Sequence, residues 1–168
     1  MTSAGGLVAA AGVCAVSAAL EGLCAGRRVR AVFAALQAPR FSPPLSVWFA
    51  IGLLYYATFG FVLYRLFVHP GDRALVRGTV ALVAAMMVLN ASWNLIFFRA
   101  RNLFAAWIMG SAAPIPDILL LLCLRRLDAL AALALLPYLV YRAYAVWWGY
   151  AVWIANRDDR RASRRMAP

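Results

Sequence analysis

The chain has 168 residues, of which 65% are hydrophobic and 14% charged, with a mean hydropathy of +0.78 and a net charge of +11. A soluble domain of this length cannot bury so much apolar surface, so the composition excludes an ordinary water-soluble fold and makes lipid the solvent. All 17 basic residues are arginines; most sit between apolar runs and not along one stripe, a placement that suits membrane topology and argues against nucleic-acid binding.

Five apolar runs approach the roughly 20 residues that a membrane span needs. They cover residues 5–25, 44–68, 77–98, 103–124 and 129–154, which predicts an all-α bundle of five transmembrane helices over residues 1–155 and a charged tail over 156–168. The first run has no positive flank before it and carries Glu21, so it reads as a retained helix and not a secretory signal. Glu21 lies near the end of that helix, where Arg27 or water could satisfy it. The first connection, 26–43, carries Arg27, Arg28, Arg30 and Arg40 and runs into the pair Pro43-Pro44. His69-Pro70-Gly71-Asp72 marks a tight turn between spans two and three.

Span three places Asn90, Trp93, Asn94 and Phe97 on one face, three or four residues apart. An amide in hydrocarbon needs a partner, so this face points inward, either as polar glue between helices or as a ligand contact. Span four holds Pro114 and Pro116, which should kink it and free carbonyls toward the interior, directly before Asp117. Span five is rich in rings. Tyr138, Tyr141, Ala145 and Trp148 share a face that could be bundle core or the wall of a site for a flat hydrophobic ligand, while Trp147 and Trp153 suit the interfacial belt.

Asp117 and Arg142 are the deep charges. Helix rise puts their depths about 7 Å apart, a gap that an arginine stem can close, and an unpaired charge there is costly, so an ion pair is expected. Arg142 could instead receive a ligand carboxylate. Cys14, Cys24 and Cys123 lie in apolar runs and His69 in a turn, so neither a disulfide framework nor a metal site is expected. With no nucleophile–His pair, paired carboxylates or phosphate loop, no enzyme activity and no cofactor are expected. Arginines on the side of the first loop, third connection and tail number eleven against five on the other. Positive-inside topology then predicts a cell-membrane protein with an external N-terminus and a cytoplasmic C-terminus.

Three blocks resemble a known family. Pro39-Arg-Phe-Ser-Pro43-Pro44 resembles the P-x-W-x-P-P signature of the translocator protein family (TspO/MBR, also tryptophan-rich sensory protein or peripheral benzodiazepine receptor). Leu89-Asn90-Ala-Ser-Trp93 with Phe97-Phe98 is similar to its third-helix motif, and Leu136-Pro137-Tyr138-Leu139 with Tyr150 and Trp153 to its fifth helix. The resemblance implies a five-helix bundle, often a homodimer, that binds porphyrins, sterols or aromatic drug-like molecules in a pocket closed by the first loop. By position it implies a pocket lined by Trp48, Phe49, Gly52, Asn90, Trp93, Ile108, Ala112, Tyr141, Ala145 and Trp148, to which Arg142 adds a charge.

Several positions depart from the family pattern. Phe41 and Ser46 replace tryptophans around the prolines, Gly52 replaces a pocket tryptophan, and Gly149 replaces an asparagine. Val32, Arg40 and Phe41 stand where the family carries the loop tryptophans linked to light-driven porphyrin breakdown. The expected function is a membrane receptor, sensor or carrier for a hydrophobic aromatic ligand of tetrapyrrole or sterol class. The alternatives are a small proton- or anion-linked transporter using Asp117 and Arg142, or a structural membrane partner without a ligand.

Overall fold

A computed structural model describes residues 2–165, with side chains described as far as residue 157. Among the described residues the secondary structure is helical throughout, and five helices are long and apolar enough to cross a membrane. Helix α1 spans Ser3–Ala25, capped by the Thr2 hydroxyl, which accepts from the Gly5 N–H. The loop after it contains a short helix, α2 (Val29–Ala34), and Pro44 leads into α3 (Leu45–Val68). Helix α4 (Arg73–Asn94) begins four residues before the apolar run does, because the Asp72 carboxylate caps it by accepting from the N–H groups of Ala74 and Leu75.

Helix α4 ends in a π-turn over Leu95–Arg99, closed by Ala100 N–H donating to Leu95 O, and the chain reverses at Arg101 with φ 51°. Span four is two helices, α5 (Leu103–Ala112) and α6 (Pro114–Leu127). The break at Ala113 follows from the sequence, since Pro114 and Pro116 have no N–H to donate back to Gly110 and Ala112. Helix α7 (Ala129–Arg165) continues without a break past residue 155, so its backbone marks no boundary there. The side chains of the charged tail from residue 158 onward, and all of residues 166–168, lie outside the described residues.

The spans pack in the ring order one, two, five, four, three, with span three returning to span one. Two clusters hold this ring. The larger, at the end where α3 finishes and α7 begins, centres on Phe59, Leu63, Leu66, Val83, Met87, Leu120, Leu124 and Leu135, all at most 1% exposed. The same end carries a bridge from Arg65 Nε to Asp128 Oδ2 at 2.6 Å. The smaller cluster, at the opposite end, gathers Phe97, Leu103, Ala106, Trp148 and Val152.

Helix α1 meets the bundle along one stripe. Gly6 lies against Val68, Ala10 is buried, Cys14 Sγ lies 3.8 Å from Tyr56 O, and the Ser17 hydroxyl lies 3.3 Å from Met87 Sδ. The next turn of that stripe is Glu21. These positions recur every three or four residues, so a helix with little amphipathic contrast still has a defined inner face.

Candidate functional site

Two adjoining cavities open between the clusters, of about 370 and 460 Å³. The first, the α5 lobe, lies among α4, α5, α6 and α7. The second, the α1 lobe, lies among α1, α3, α4 and α7 beneath α2. Trp48, Trp93, Tyr141 and Trp148 line both, as do Phe97, Asn90 and Arg142. Ile115 on the rim of one lobe is 72% exposed and Leu53 on the rim of the other 73%, so each opens sideways toward lipid.

Local sequence explains how the rings are held. Trp48 reaches the centre of the bundle from the first turns of α3, with its ring centroid 4.5 Å from that of Trp148. Its Nε1 is buried with no hydrogen-bond partner among the described residues, an uncommon state for an indole N–H and one that a ligand acceptor would relieve. Trp93 stacks on Phe97 at 4.8 Å and donates from Nε1 to the Ala106 carbonyl at 3.0 Å. Gly110, one turn on, faces the same indole, and a Cβ there would sit in ordinary contact at 3.6 Å from Trp93 Nε1.

Gly52 leaves a gap in the α1 lobe. A Cβ there would meet nothing within 4 Å, so the cavity occupies space that a tryptophan side chain would fill. Phe49, on the same wall, is 58% exposed and forms part of the rim. Ala112, Ala145 and Asp117 line the α5 lobe. The expected site residues therefore converge, with one exception. Ile108 is 48% exposed and lines neither cavity. It lies two residues from both Ala106 and Gly110, about 200° around α5 from the face that points inward. Trp107, Met109 and Gly110 form that stretch of wall instead.

Arg142 and Asp117 form an ion pair, Nε to Oδ2, at 2.8 Å. The Asp117 side chain is 1% exposed and that of Arg142 18%. The guanidinium also donates through Nη2 to the Tyr138 hydroxyl and lies 5.0 Å over the Tyr138 ring. Arg142 is thus held from two sides while still facing both lobes.

Glu21 does not turn to Arg27. Its Oε1 accepts from Asn90 Nδ2 at 2.7 Å, which ties α1 to α4 and directs the carboxylate into the α1 lobe. Asn94 donates to the Asn90 carbonyl, completing the polar side of this wall. Trp153 packs face to face with Trp107 at 4.9 Å, and Trp147 is 44% exposed.

The first loop is stitched across one end of the lobes. Gln37 exchanges two hydrogen bonds with the Asn156 side chain, Tyr144 donates from its hydroxyl to Phe41 O, and Trp148 Nε1 donates to Ser42 Oγ at 2.9 Å. Phe33 of α2 stacks on Trp148 at 6.3 Å. These contacts make the loop a cover anchored mainly on α7.

The TspO/MBR family model matches residues 9–154, which reach into all five spans and include the first loop. The chain belongs to the TspO/MBR family. As a family member it is similar to the translocator protein of Ovis aries, at 29% identity over 143 residues covering 80% of each chain. It is also similar to the translocator protein of Sus scrofa, at 30% over 140 residues and 79% of each. Family and spans together make it a multi-pass membrane protein.

Within this family member, Glu21, Phe33, Tyr55 and Trp107 are among the cavity residues that the sequence analysis does not place in the site. For Glu21 a signal was present: the 6, 10, 14, 17, 21 spacing puts it on the inner face of α1. Trp107 had a weaker one, since Leu103, Ala106 and Gly110 follow helical spacing once the break at Ala113 is known.

Proposed function

We propose that this family member binds a hydrophobic aromatic ligand of tetrapyrrole or sterol class in the bilobed cavity and acts as a receptor, sensor or carrier without catalysing a reaction. The observation that carries the reading is the wall common to the two lobes, where Trp48, Trp93, Tyr141 and Trp148 line both cavities and the buried Trp48 indole N–H has no partner among the described residues. Rings at this spacing accept a flat apolar body by stacking, and a few polar groups fix its orientation. Arg142, already held by Asp117, offers a cation to a carboxylate at the ligand edge.

The sideways openings suit a ligand that partitions into lipid, and the anchored loop closes the aqueous end. We place the protein in the cell membrane with the loop and C-terminus in the cytoplasm and the N-terminus outside, on the arginine distribution, and we propose a homodimer on family grounds. The test is tryptophan quenching by protoporphyrin in the purified protein: saturable quenching that Trp48→Ala and Trp148→Ala weaken is expected. No saturable quenching by porphyrins or sterol analogues would remove the reading.

A second reading, a proton- or anion-linked transporter, draws on the buried Asp117–Arg142 pair beside the break in span four. Proton-coupled uptake into proteoliposomes, lost in Asp117→Asn, would favour it.

A further inference from the structure

The two lobes differ in charge. In the α5 lobe Asp117 and Arg142 neutralise one another. The α1 lobe is lined by Arg142, whose charge is met by Asp117, and by Glu21, which enters neither of the ion pairs Arg65–Asp128 and Arg142–Asp117. Glu21 meets neutral donors alone, the Asn90 amide at 2.7 Å and the neighbouring Tyr56 hydroxyl. A partly buried carboxylate met only by neutral donors keeps its charge uncompensated, and a cation is the partner that satisfies it best.

A second observation points to the same space. Tyr55 is 8% exposed, lines the α1 lobe, and its hydroxyl has no hydrogen-bond partner among the described residues. Tyr56, Trp48, Trp93 and Phe98 line the same lobe as Glu21 and Tyr55. Ring faces attract cations, and a carboxylate set among rings is the arrangement that recognises an organic ammonium group.

We propose that the α1 lobe is a subsite for a protonated organic amine carried on an apolar body, with Glu21 as its counter-charge and the surrounding rings as its cage. The proposal rests on the reading of the bundle as a ligand-binding protein. It adds a preference of opposite sign to the one Arg142 gives: an acidic edge is drawn toward Arg142 and a basic nitrogen toward Glu21. The Tyr55 hydroxyl supplies a further acceptor for an ammonium proton.

The experiment compares two probes of one shape, 1-pyrenemethylammonium and neutral 1-pyrenemethanol, on the full chain in nanodiscs of zwitterionic lipid. Energy transfer from tryptophan to pyrene is the readout, and empty nanodiscs give the partitioning background. The ammonium should bind about tenfold tighter than the alcohol. Glu21→Gln retains an oxygen for Asn90; it should abolish this preference and leave the alcohol within about twofold.

Equal affinity of the two probes in the unsubstituted protein, or a preference that survives Glu21→Gln, overturns the amine subsite while leaving the ligand-binding reading intact. Saturable binding of neither probe overturns both. The comparison in the unsubstituted protein decides the matter even where the variant does not fold.

Discussion

Arg142 Nε lies 2.8 Å from Asp117 Oδ2 and joins spans four and five at a depth where either charge alone would cost at least about 2.5–3.5 kcal/mol. Arg142→Leu or Asp117→Leu should each lower stability by roughly 3–5 kcal/mol, because each leaves one buried charge behind, while the double variant should lose much less. Thermal melts in detergent check this. Additive losses would mean that the two residues do not act as a pair.

The Arg65–Asp128 bridge gives a pH dependence. Burial pushes the Asp128 carboxyl up, but the Arg65 guanidinium and the backbone N–H groups of Ala131 and Leu130 outweigh it and hold the group below the usual carboxylate range. A lowered value in the fold means that the contribution is complete above the unfolded value of about 4 and is lost as pH falls through the folded value. Asp128→Asn should cost about 1–2 kcal/mol at neutral pH, combining a weakened cap with a partly exposed ion pair. It should also flatten the loss of stability below about pH 4. An unchanged acid limb in the variant would argue against Asp128 as its source.

Gly6 is a contact point between α1 and α3. A Cβ there would stand 2.7 Å from Val68 Cγ1, and a valine in a helix has little rotamer freedom with which to withdraw. Gly6→Val should therefore lower stability by about 1–3 kcal/mol. Gly12→Ala, where an added Cβ meets nothing within 4 Å, should not. Equal melts for the two variants would show that α1 does not pack through Gly6.

Gly52→Trp tests the cavity as a volume. The added ring enters space that is empty in the α1 lobe, so the fold should melt within about 1 kcal/mol of the unsubstituted protein. Porphyrin or sterol-analogue binding should change at least tenfold, which quenching titrations measure. An unchanged affinity would place the ligand elsewhere.

Topology has a direct readout. In a background lacking Cys14, Cys24 and Cys123, a single cysteine placed in the C-terminal tail should resist an impermeant thiol reagent in intact cells and react after lysis. Labelling before lysis would reverse the orientation.

The five spans were legible in the sequence because lipid demands long apolar helices, and no packing detail is needed to see them. The Asp117–Arg142 pair was legible for a related reason: two deep charges on consecutive helices leave few other solutions. Detailed placement of the site was less accessible. Family position points to Ile108 as part of the wall, but the prolines after Ala112 make α5 a ten-residue helix whose inner face runs through Leu103, Ala106 and Gly110. Nearness to the helix end points Glu21 to water or Arg27, and the 6, 10, 14, 17, 21 spacing gives it a face without saying which neighbour that face meets. Only with α1 seated against α3 and α4 does the stripe from Gly6 to Ser17 turn Glu21 toward Asn90. The loop stitching of Gln37, Phe41 and Ser42 to α7 spans more than a hundred residues and left no pattern to read.

The ion pair between spans four and five also bears on how the chain is made. Asp117 leaves the ribosome 25 residues before Arg142, an interval of about one to five seconds at roughly 5–20 residues per second. During that interval span four presents a carboxylate to the membrane with no cation to meet it, on a helix that its own prolines have already broken. Only Asp128 separates α6 from α7, so the two segments can fold back on each other as soon as the second emerges. Insertion of spans four and five as one hairpin would spare Asp117 that exposure, because its arginine lies on the very next helix.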